Sequence, residues 1–405
     1  MKTNAPILKR QSQHLFFQDA DVDFMFNWQL GIAEVFGLSH GELYYLAQQI
    51  GKRSTPEKWR TAFTRHAEYA RRQAVEVARS HQTAANYQLA ATYAYRAALQ
   101  MTDPYSAEYG ELVAGMEQSF AEAMRRMDAP LEPITIAYQE SYLPGYYLHT
   151  GNDRPTVMMV GGGDTYREDL FYFAGYPGWQ RGYNVLMVDL PGQGTNPQRG
   201  LIFTVRMDEA ISTCIDWLEQ RNPRLEQLAV YGVSGGGYFS AQAAQYDERI
   251  TAWIASTPIY DIARLFRQEF GAVLRVPGWM TKLLTRLAGA TNQHTALALK
   301  KYAWQFGGSD FRMMVKEVEQ RATVVRHEKI QCPALFLVGE GEGIELQRQA
   351  HELHDALTER DIAVTLHSFS AQSGADAHCQ VNNLRLAHSV VFDWLDERFG
   401  LAGGV

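Results

Sequence analysis

The pattern of hydrophobic and polar residues along the chain changes character near residue 130. Up to that point helix-forming residues dominate, and apolar and polar residues do not alternate as they do in a strand. Small residues over 85–98 predict a tightly packed helix, which Pro104 ends, and a further helix is predicted over about 107–127. We therefore expect a helical cap domain over residues 1–130.

After residue 130, short apolar runs alternate with helical stretches, and each run ends in a turn that contains glycine or proline. The runs predicted as strands are Thr156–Val160, Asn184–Val188, Leu228–Tyr231, Thr251–Ala255, Ala334–Val338 and Val364–Phe369. Continuous apolar strands separated by helices indicate a parallel sheet with both faces covered. The expected fold class is therefore α/β, with a mostly parallel sheet flanked by helices over 131–405. A helical, aromatic-rich stretch interrupts the alternation and is a candidate lid insert over about 262–330.

Ser234 is the candidate nucleophile of the chain. It lies in the pentapeptide Gly232-Val233-Ser234-Gly235-Gly236, directly after a predicted strand. A nucleophilic serine at the tip of a strand needs a strained backbone conformation, and flanking glycines remove the Cβ clashes that would forbid the sharp turn. A Gly-x-Ser-x-Gly pentapeptide alone also fits an ordinary tight turn. The preceding strand and the glycine-rich start of the following helix favour the functional interpretation.

A base for this serine is expected on the loop after the last strand, because nucleophile, acid and base follow in that order along chains with such a turn. His378 lies on that loop, within Ser373–Gln380. His367 is the nearest rival, but it falls inside the predicted strand, where a structural or surface role is expected. The sequence therefore predicts His378 as the base.

The acid that would orient the base is expected after the penultimate strand, in the turn Gly339–Gly343. Glu342 is the preferred candidate and Glu340 is its neighbour in the same turn. Asp261, which follows an earlier strand, is a second possibility. A glutamate among glycines also fits a solvated loop, so the choice among these carboxylates stays open at this point.

Two backbone amides are expected to bind the oxyanion that forms during acyl transfer. One belongs to Gly235, immediately after the nucleophile, and the other to the loop Gly161–Asp164, whose three glycines leave their amides unshielded. Asp164, Tyr166 and Glu168 follow these glycines and are candidates for contact with the substrate. The turn Asp189–Gly194 comes after another strand, and we interpret it as scaffold at the edge of the site.

The composition of the chain argues against nucleic acids, metals and membranes as partners. The formal charge of the chain is −7, and its sequence has no basic stripe that could neutralise the phosphates of a nucleic acid. The three cysteines form neither a disulfide framework nor a CxxC site. His351 and His354 do not form an HExxH motif, so we expect no metal there. The spacing of the glycine loop Gly161–Asp164 fits neither a P-loop nor a dinucleotide fingerprint, and we expect no cofactor. The first ten residues lack the apolar core of a signal peptide, and no stretch approaches the length of a membrane span. We expect a cytoplasmic protein with a small-molecule substrate and no membrane partner.

At these residues the chain resembles one branch of the α/β-hydrolases. That branch contains 2,6-dihydroxypseudooxynicotine hydrolase and the polyketide-shortening hydrolases, and the fermentation–respiration switch proteins are more distant relatives. The segments that carry the resemblance are 85–98, Gly161–Glu168, Gly232–Gly236 and Gly374–Gln380. The last of these is the most specific.

The resemblance implies an α/β-hydrolase core with an N-terminal helical cap, often assembled as a homodimer. It implies Ser234 as nucleophile, His378 as base, and Gly163 with Gly235 as the oxyanion hole. It places the acid at Glu342, although the family pattern usually has aspartate there. Members cleave carbon–carbon bonds in β-dicarbonyl substrates or hydrolyse esters.

The favoured hypothesis is a serine hydrolase that cleaves a carbon–carbon, ester or thioester bond of a bulky, polyketide-like substrate through an acyl-enzyme. A general carboxylesterase is the first alternative. An acyl-transferring or cyclising enzyme is the second, and in it a group of the substrate replaces water. The alternative from another class is a binding protein on a hydrolase scaffold, against which the presence of Ser234, His378 and the glycine loops counts.

Overall fold

The computed structural model describes residues 8–76, 78–275, 292–308 and 310–401 of the chain. Before residue 130 its elements are helices. They are Ala20–Ala33, His40–Ile50, Pro56–Glu76, His81–Gln100 and Ala107–Arg126. The helices predicted over 85–98 and about 107–127 are therefore confirmed, and the first of them extends further at both ends.

Helix His81–Gln100 lies at the centre of this helical region. Its residues from Leu89 onward are buried, and alanines on both sides of it allow neighbouring helices to approach closely. Gly115 of the next helix packs against the ring of Tyr95, where an added Cβ would lie 2.9 Å from the ring. Small residues therefore position this helix against its neighbours, as the sequence pattern indicates.

The second part of the chain forms an eight-stranded sheet in the order β1-β2-β4-β3-β5-β6-β7-β8. Its strands are β1 Leu131–Tyr138, β2 Ser141–Leu148, β3 Thr156–Val160, β4 Asn184–Val188, β5 Leu228–Val233, β6 Ala252–Ser256, β7 Ala334–Gly339 and β8 Val364–Phe369. Strands β3 to β8 pair in parallel. The predicted parallel sheet is therefore confirmed.

The antiparallel hairpin β1–β2 was not among the predicted strands. It pairs with the edge of the parallel sheet through β2 and β4. In β1 exposed and buried residues alternate rather than forming an apolar run, and Pro133 and Pro144 interrupt the two strands. The hairpin therefore lacks the continuous apolar run that marks the other strands.

Helices cover both faces of the sheet between the strands. The longer ones are Asp208–Arg221, Gly236–Ala244, Ile344–Thr358 and Leu384–Arg398. Shorter helical segments are Arg167–Leu170, Phe171–Gly175, Tyr176–Gln180, Asn196–Arg199, His327–Lys329, Ala371–Ser373 and His378–Gln380. Two large apolar clusters of buried side chains lie against the sheet, and β3, β4, β5, β6 and β7 contribute residues to both. A third, small cluster of Phe311, Met314 and Val315 lies in the insert.

The candidate lid insert contains three described helices, Ile262–Arg275, Gln293–Gln305 and Phe311–Arg321. They interrupt the strand–helix alternation between β6 and β7, at the carboxyl ends of the strands. Positions 276–291 and 309 of the insert lie outside the described residues. The role of the insert as a lid, and the division of the chain at residue 130, stay predictions.

Candidate active site

Ser234 lies in a sharp turn between β5 and helix Gly236–Ala244. Its φ angle is +57°, a left-handed conformation that non-glycine residues rarely adopt. The flanking glycines are required by space: a Cβ on Gly232 would lie 2.1 Å from the carbonyl oxygen of Gly236, and a Cβ on Gly236 would lie 2.1 Å from that of Val160. The turn projects the Ser234 hydroxyl beyond the carboxyl end of the sheet.

His378 contacts Ser234 across the end of the sheet. Its Nε2 atom lies 2.9 Å from the Ser234 Oγ atom. The histidine is carried by the loop between β8 and the last helix, and its backbone amide donates a hydrogen bond to the carbonyl of Arg10 at 2.7 Å. His367 lies within β8, where its ring contacts the ring of Phe369. Of these two histidines, the structure therefore brings His378 to the serine.

Glu342 contacts the other side of the same imidazole. Its Oε1 atom forms a hydrogen bond with the Nδ1 atom of His378, and the glutamate is fully buried. The Glu342 Oε2 atom accepts a hydrogen bond from the Gly339 amide at 2.9 Å, and Oε1 accepts another from the Thr257 hydroxyl at 2.5 Å. The carboxylate is therefore held in one orientation by the turn that carries it and by Thr257, the residue directly after β6.

The other candidate acids do not reach His378. Glu340 is exposed and accepts a hydrogen bond from the backbone amide of Ala371 at 3.3 Å. Asp261 accepts one from the backbone amide of Arg264 at 2.8 Å, at the start of an insert helix. Of the three carboxylates considered from the sequence, Glu342 is the one that the structure places against the imidazole.

The environment of His378 changes the proton affinity of its ring. Burial lowers the pKa of His378, but the contacts with Cys379 and Glu342 raise the pKa by more. The net shift is upward from the ordinary value of 6.5. The site therefore favours the imidazolium, the form that exists after a proton has moved from the serine.

The amides of Gly163 and Gly235 lie next to each other beside Ser234. A Cβ built on Gly235 would lie 3.7 Å from the Gly163 nitrogen, and a Cβ on Gly162 would lie 2.6 Å from the Cβ of Ser234. Neither of the two amides donates a hydrogen bond to any of the residues that the structure describes. Two free N–H groups therefore adjoin the serine hydroxyl.

The three residues predicted to contact substrate lie in different places. Asp164 is exposed and lines the same pocket as Ser234. Tyr166 and Glu168 do not appear among the described residues that line it. Tyr166 forms a hydrogen bond with Tyr109 at 2.5 Å, and buried Glu168 accepts one from the Tyr146 hydroxyl at 2.8 Å. The structure therefore places Tyr166 and Glu168 at the junction with the helical region, away from the pocket.

The pocket around Ser234 is apolar and has a volume of about 140 Å³. Apart from Ser234, His378, the glycines and Asp164, its lining is mainly aromatic and aliphatic. The insert and its flanks provide much of that lining: Ile259, Ile262, Leu265, Phe266, Phe270, Tyr302, Phe306, Phe311 and Met314. Such a lining suits a substrate with a large hydrocarbon portion.

Sequence reasoning missed several residues that shape this site. The Thr257 hydroxyl donates a hydrogen bond to the Glu342 carboxylate. The side-chain amide of Gln305, in the insert, donates to the Gly163 carbonyl, and that of Gln193 donates to the Gly161 carbonyl. No motif marks Thr257 or Gln305. The only sequence signal for Gln193 is its position between two glycines directly after a strand.

The described residues contain neither a metal cluster nor a membrane-spanning helix. Within the ranges that the structure describes, no cluster of three or more histidine, cysteine, aspartate or glutamate side chains has the arrangement of a metal site. None of the described helices combines the length and the apolar character that crossing a bilayer requires.

The chain was compared with known protein families and proteins. Residues 37–204 match the family described as esterase FrsA-like, and residues 179–369 match the family described as serine aminopeptidase, S33. Hydrolase LUC6 of Fusarium sp. is 27% identical to the chain, with 96% of this chain and 99% of that protein covered. The 20-hydroxy-prefusarin hydrolase FUS2 of Gibberella moniliformis is 25% identical, with the same two coverages of 96% and 99%.

Among solved structures, that of 2,6-dihydroxy-pseudo-oxynicotine hydrolase superposes with a TM-score of 0.66 and 17% sequence identity, covering 91% of this chain and 94% of that one. Together with the strand order and the family matches, this superposition defines the chain as an α/β-hydrolase. Over residues 37–204 the chain is similar to the FrsA-like esterases, and it shares the fold of the 2,6-dihydroxy-pseudo-oxynicotine hydrolase, so the resemblance noted from the sequence is confirmed.

Proposed function

We propose that the chain is a serine hydrolase that cleaves a carbon–carbon bond of a β-dicarbonyl compound, or an ester or thioester bond, through an acyl-enzyme. The observation that carries the proposal is the hydrogen-bonded series from Glu342 through His378 to Ser234, with 2.9 Å between His378 Nε2 and Ser234 Oγ. A serine hydroxyl is a poor nucleophile at neutral pH, and an adjacent imidazole that takes its proton makes it reactive.

The mechanism begins with attack of Ser234 Oγ on the substrate carbonyl as its proton moves to His378 Nε2. The negative charge that develops on the carbonyl oxygen is stabilised by the free amides of Gly163 and Gly235. Collapse breaks the bond to the leaving group, which departs as an enolate, an alkoxide or a thiolate and takes the proton from His378. Water then attacks the acyl-enzyme with His378 again as base, and the acid product is released. Glu342 stabilises the imidazolium in both halves.

The substrate that we propose is a bulky, polyketide-like carbonyl compound. Support comes from the apolar lining of the pocket and from the resemblance to polyketide-shortening hydrolases. A relative with nearly full coverage is named for hydrolysis of 20-hydroxy-prefusarin. The insert helices, which provide much of the lining, would hold the hydrocarbon part and exclude water from the enolate.

A carboxylesterase is the second candidate, and the match of residues 37–204 to the esterase FrsA-like family favours it. The same site would serve an acyl-transferring or cyclising enzyme if a hydroxyl or amine of the substrate reached the acyl-enzyme before water. Incubation with a 1,3-diketone and with a p-nitrophenyl ester separates carbon–carbon cleavage from ester hydrolysis. An acid plus a ketone from the diketone supports carbon–carbon cleavage, whereas turnover of the ester alone supports the esterase.

The catalytic role of Ser234 is tested by mass spectrometry after treatment with a fluorophosphonate. We expect a single adduct on Ser234 in the wild type, no adduct there in Ser234→Ala, and slow labelling in His378→Ala. Ser373→Ala, which changes a serine on the loop that carries His378, is the matched control and should label like the wild type. A folded wild-type protein that forms no adduct would contradict the proposal.

We also propose a homodimer, which the family resemblance implies. Light scattering after size-exclusion chromatography should give twice the chain mass of 45.8 kDa. A single species at the chain mass would contradict it.

A further inference from the structure

Gln193 lies beneath the glycine loop that approaches Ser234. Its side chain is 1% exposed and occupies a turn after β4. On either side of it, Gly192 and Gly194 adopt positive φ angles of +83° and +52°, a region that other residues rarely enter. Any side chain at Gly192 would collide with the ring of Phe203, and any at Gly194 with the carboxylate of Asp189. The positions on both sides of Gln193 therefore have room for glycine alone.

All the hydrogen-bonding atoms of the Gln193 side chain point to backbone groups. Its Nε2 atom donates to the Gly161 carbonyl at 2.6 Å and to the Gly162 carbonyl at 3.2 Å. Its Oε1 atom accepts a hydrogen bond from the Leu190 amide at 3.0 Å, which prevents the side-chain amide from turning over. One buried amide thus connects the turn after β4 to two successive carbonyls of the glycine loop.

The carbonyl of Gly162 and the amide of Gly163 belong to one peptide unit. The peptide unit is planar and trans, so its C=O and N–H groups point in opposite directions. Fixing the Gly162 carbonyl towards Gln193 therefore directs the Gly163 N–H group away from Gln193, to the side where Ser234 lies. Glycine has a broad choice of backbone conformations, and three successive glycines would not hold this orientation by themselves. Thr165 is a second restraint, since its hydroxyl donates to the same carbonyl at 3.1 Å.

We propose that Gln193 is a positioning residue for the oxyanion hole: it orients the Gly162–Gly163 peptide so that the Gly163 amide is directed at the developing oxyanion. This inference rests on the proposed function, because an oxyanion forms only if Ser234 attacks a carbonyl. It goes beyond that function by assigning the turn Asp189–Gly194, which has no role in the mechanism above, to stabilisation of the transition state.

The test compares Gln193→Met with Asn196→Leu. Methionine keeps the length of the side chain and removes its donor. Asn196 is the matched control because it is fully buried in the same region and its side-chain amide also donates to two backbone carbonyls, those of Asp189 and Leu190 at 2.7 and 2.9 Å, but not to the glycine loop. Thr165→Val, which removes the second donor to the Gly162 carbonyl, provides an independent variant in case Gln193→Met does not fold.

The measurements are kcat and KM for a p-nitrophenyl ester, the inhibition constant of a trifluoromethyl ketone, and the rate of fluorophosphonate labelling of Ser234. In Gln193→Met we expect kcat to fall ~10- to 100-fold, somewhat less than the full loss of one oxyanion donor, with KM nearly unchanged. Binding of the trifluoromethyl ketone, which forms a tetrahedral oxyanion, should weaken by the same factor as kcat/KM. Thr165→Val should show a smaller loss of the same kind, and Asn196→Leu should lose thermal stability without this pattern.

The outcomes separate the two proposals. If the wild type labels at Ser234 but Gln193→Met labels and turns over like Asn196→Leu, the positioning role is wrong and the serine mechanism stands. A loss confined to KM would also overturn the positioning role. If a folded wild type does not label at all, the serine mechanism fails, and the role of Gln193 fails with it.

Discussion

Glu342 contacts His378 through its Oε1 atom, while its Oε2 atom accepts a hydrogen bond from the Gly339 amide in its own turn. The carboxylate is buried, and the imidazole is the one ionisable group to which the structure shows it hydrogen-bonded among the described residues. Glutamate has one more rotatable bond than aspartate. The hydrogen bonds from Gly339 and Thr257 offset that freedom by fixing both oxygens.

Glu342→Gln should therefore lower kcat for an ester substrate by ~100-fold or more, because an amide can hold the wrong tautomer of the ring and does not stabilise the imidazolium. Asp261→Asn is the control, since Asp261 caps an insert helix instead of contacting His378, and its kcat should change less than ~3-fold. Equal and mild losses in the two variants would contradict the assignment of Glu342.

The pH dependence of kcat/KM should follow the ionisation of His378. The neutral imidazole is the base, so activity rises with pH through the pKa of His378, which the structure raises above its ordinary 6.5. Replacing Glu342 by glutamine removes one of the contacts that raise this pKa. The acid limb of the kcat/KM profile should therefore lie above pH 6.5 in the wild type and move to lower pH in Glu342→Gln. An acid limb at the same pH in Glu342→Gln as in the wild type would contradict the effect of Glu342 on the pKa of His378.

Arg96 and Asp169 form a buried ion pair between helix His81–Gln100 and the segment after the glycine loop, with 2.7 Å between Nε and Oδ2. Arg96→Met should lower the free energy of unfolding by about 3–5 kcal/mol, because it leaves the carboxylate of Asp169 buried without its counter-charge. Lys300→Met, which breaks the exposed pair with Asp103, should change it by less than about 1 kcal/mol. Urea denaturation measures both, and similar effects would contradict the difference in burial.

Two glycine-to-alanine changes should have opposite effects on stability. Gly110 is exposed within helix Ala107–Arg126 and has open space around its Cβ position, so Gly110→Ala should stabilise the protein by about 0.5–1 kcal/mol. In Gly236→Ala the new methyl group would lie 2.1 Å from the Val160 carbonyl oxygen, which forces the turn at Ser234 to move. We expect a lower melting temperature and strongly reduced fluorophosphonate labelling in Gly236→Ala, and its normal labelling would argue that the turn is adaptable.

The strands of the parallel sheet could be predicted because both of their faces are buried, so each one is a continuous apolar run such as Thr156–Val160. The hairpin β1–β2 could not, because β1 alternates between exposed and buried residues, as a half-solvated edge strand does. Ser234 and His378 could be selected by position, since the carboxyl ends of parallel strands meet at one edge of a sheet. Ser234 and His378 could be chosen from their positions after predicted strands, without knowing the directions of their side chains.

What the sequence determined by itself is the buried strands of the parallel sheet and the turns that end them, because apolar periodicity and the steric freedom of glycine act over a few neighbouring residues. Only the tertiary structure decided which carboxylate meets His378, since Glu340 and Glu342 lie in the same turn and differ in the direction of their side chains. It also decided the lining of the pocket and the contact of Gln193 with Gly162. These contacts join segments far apart in the chain, and packing of the whole core, not local pattern, sets their geometry.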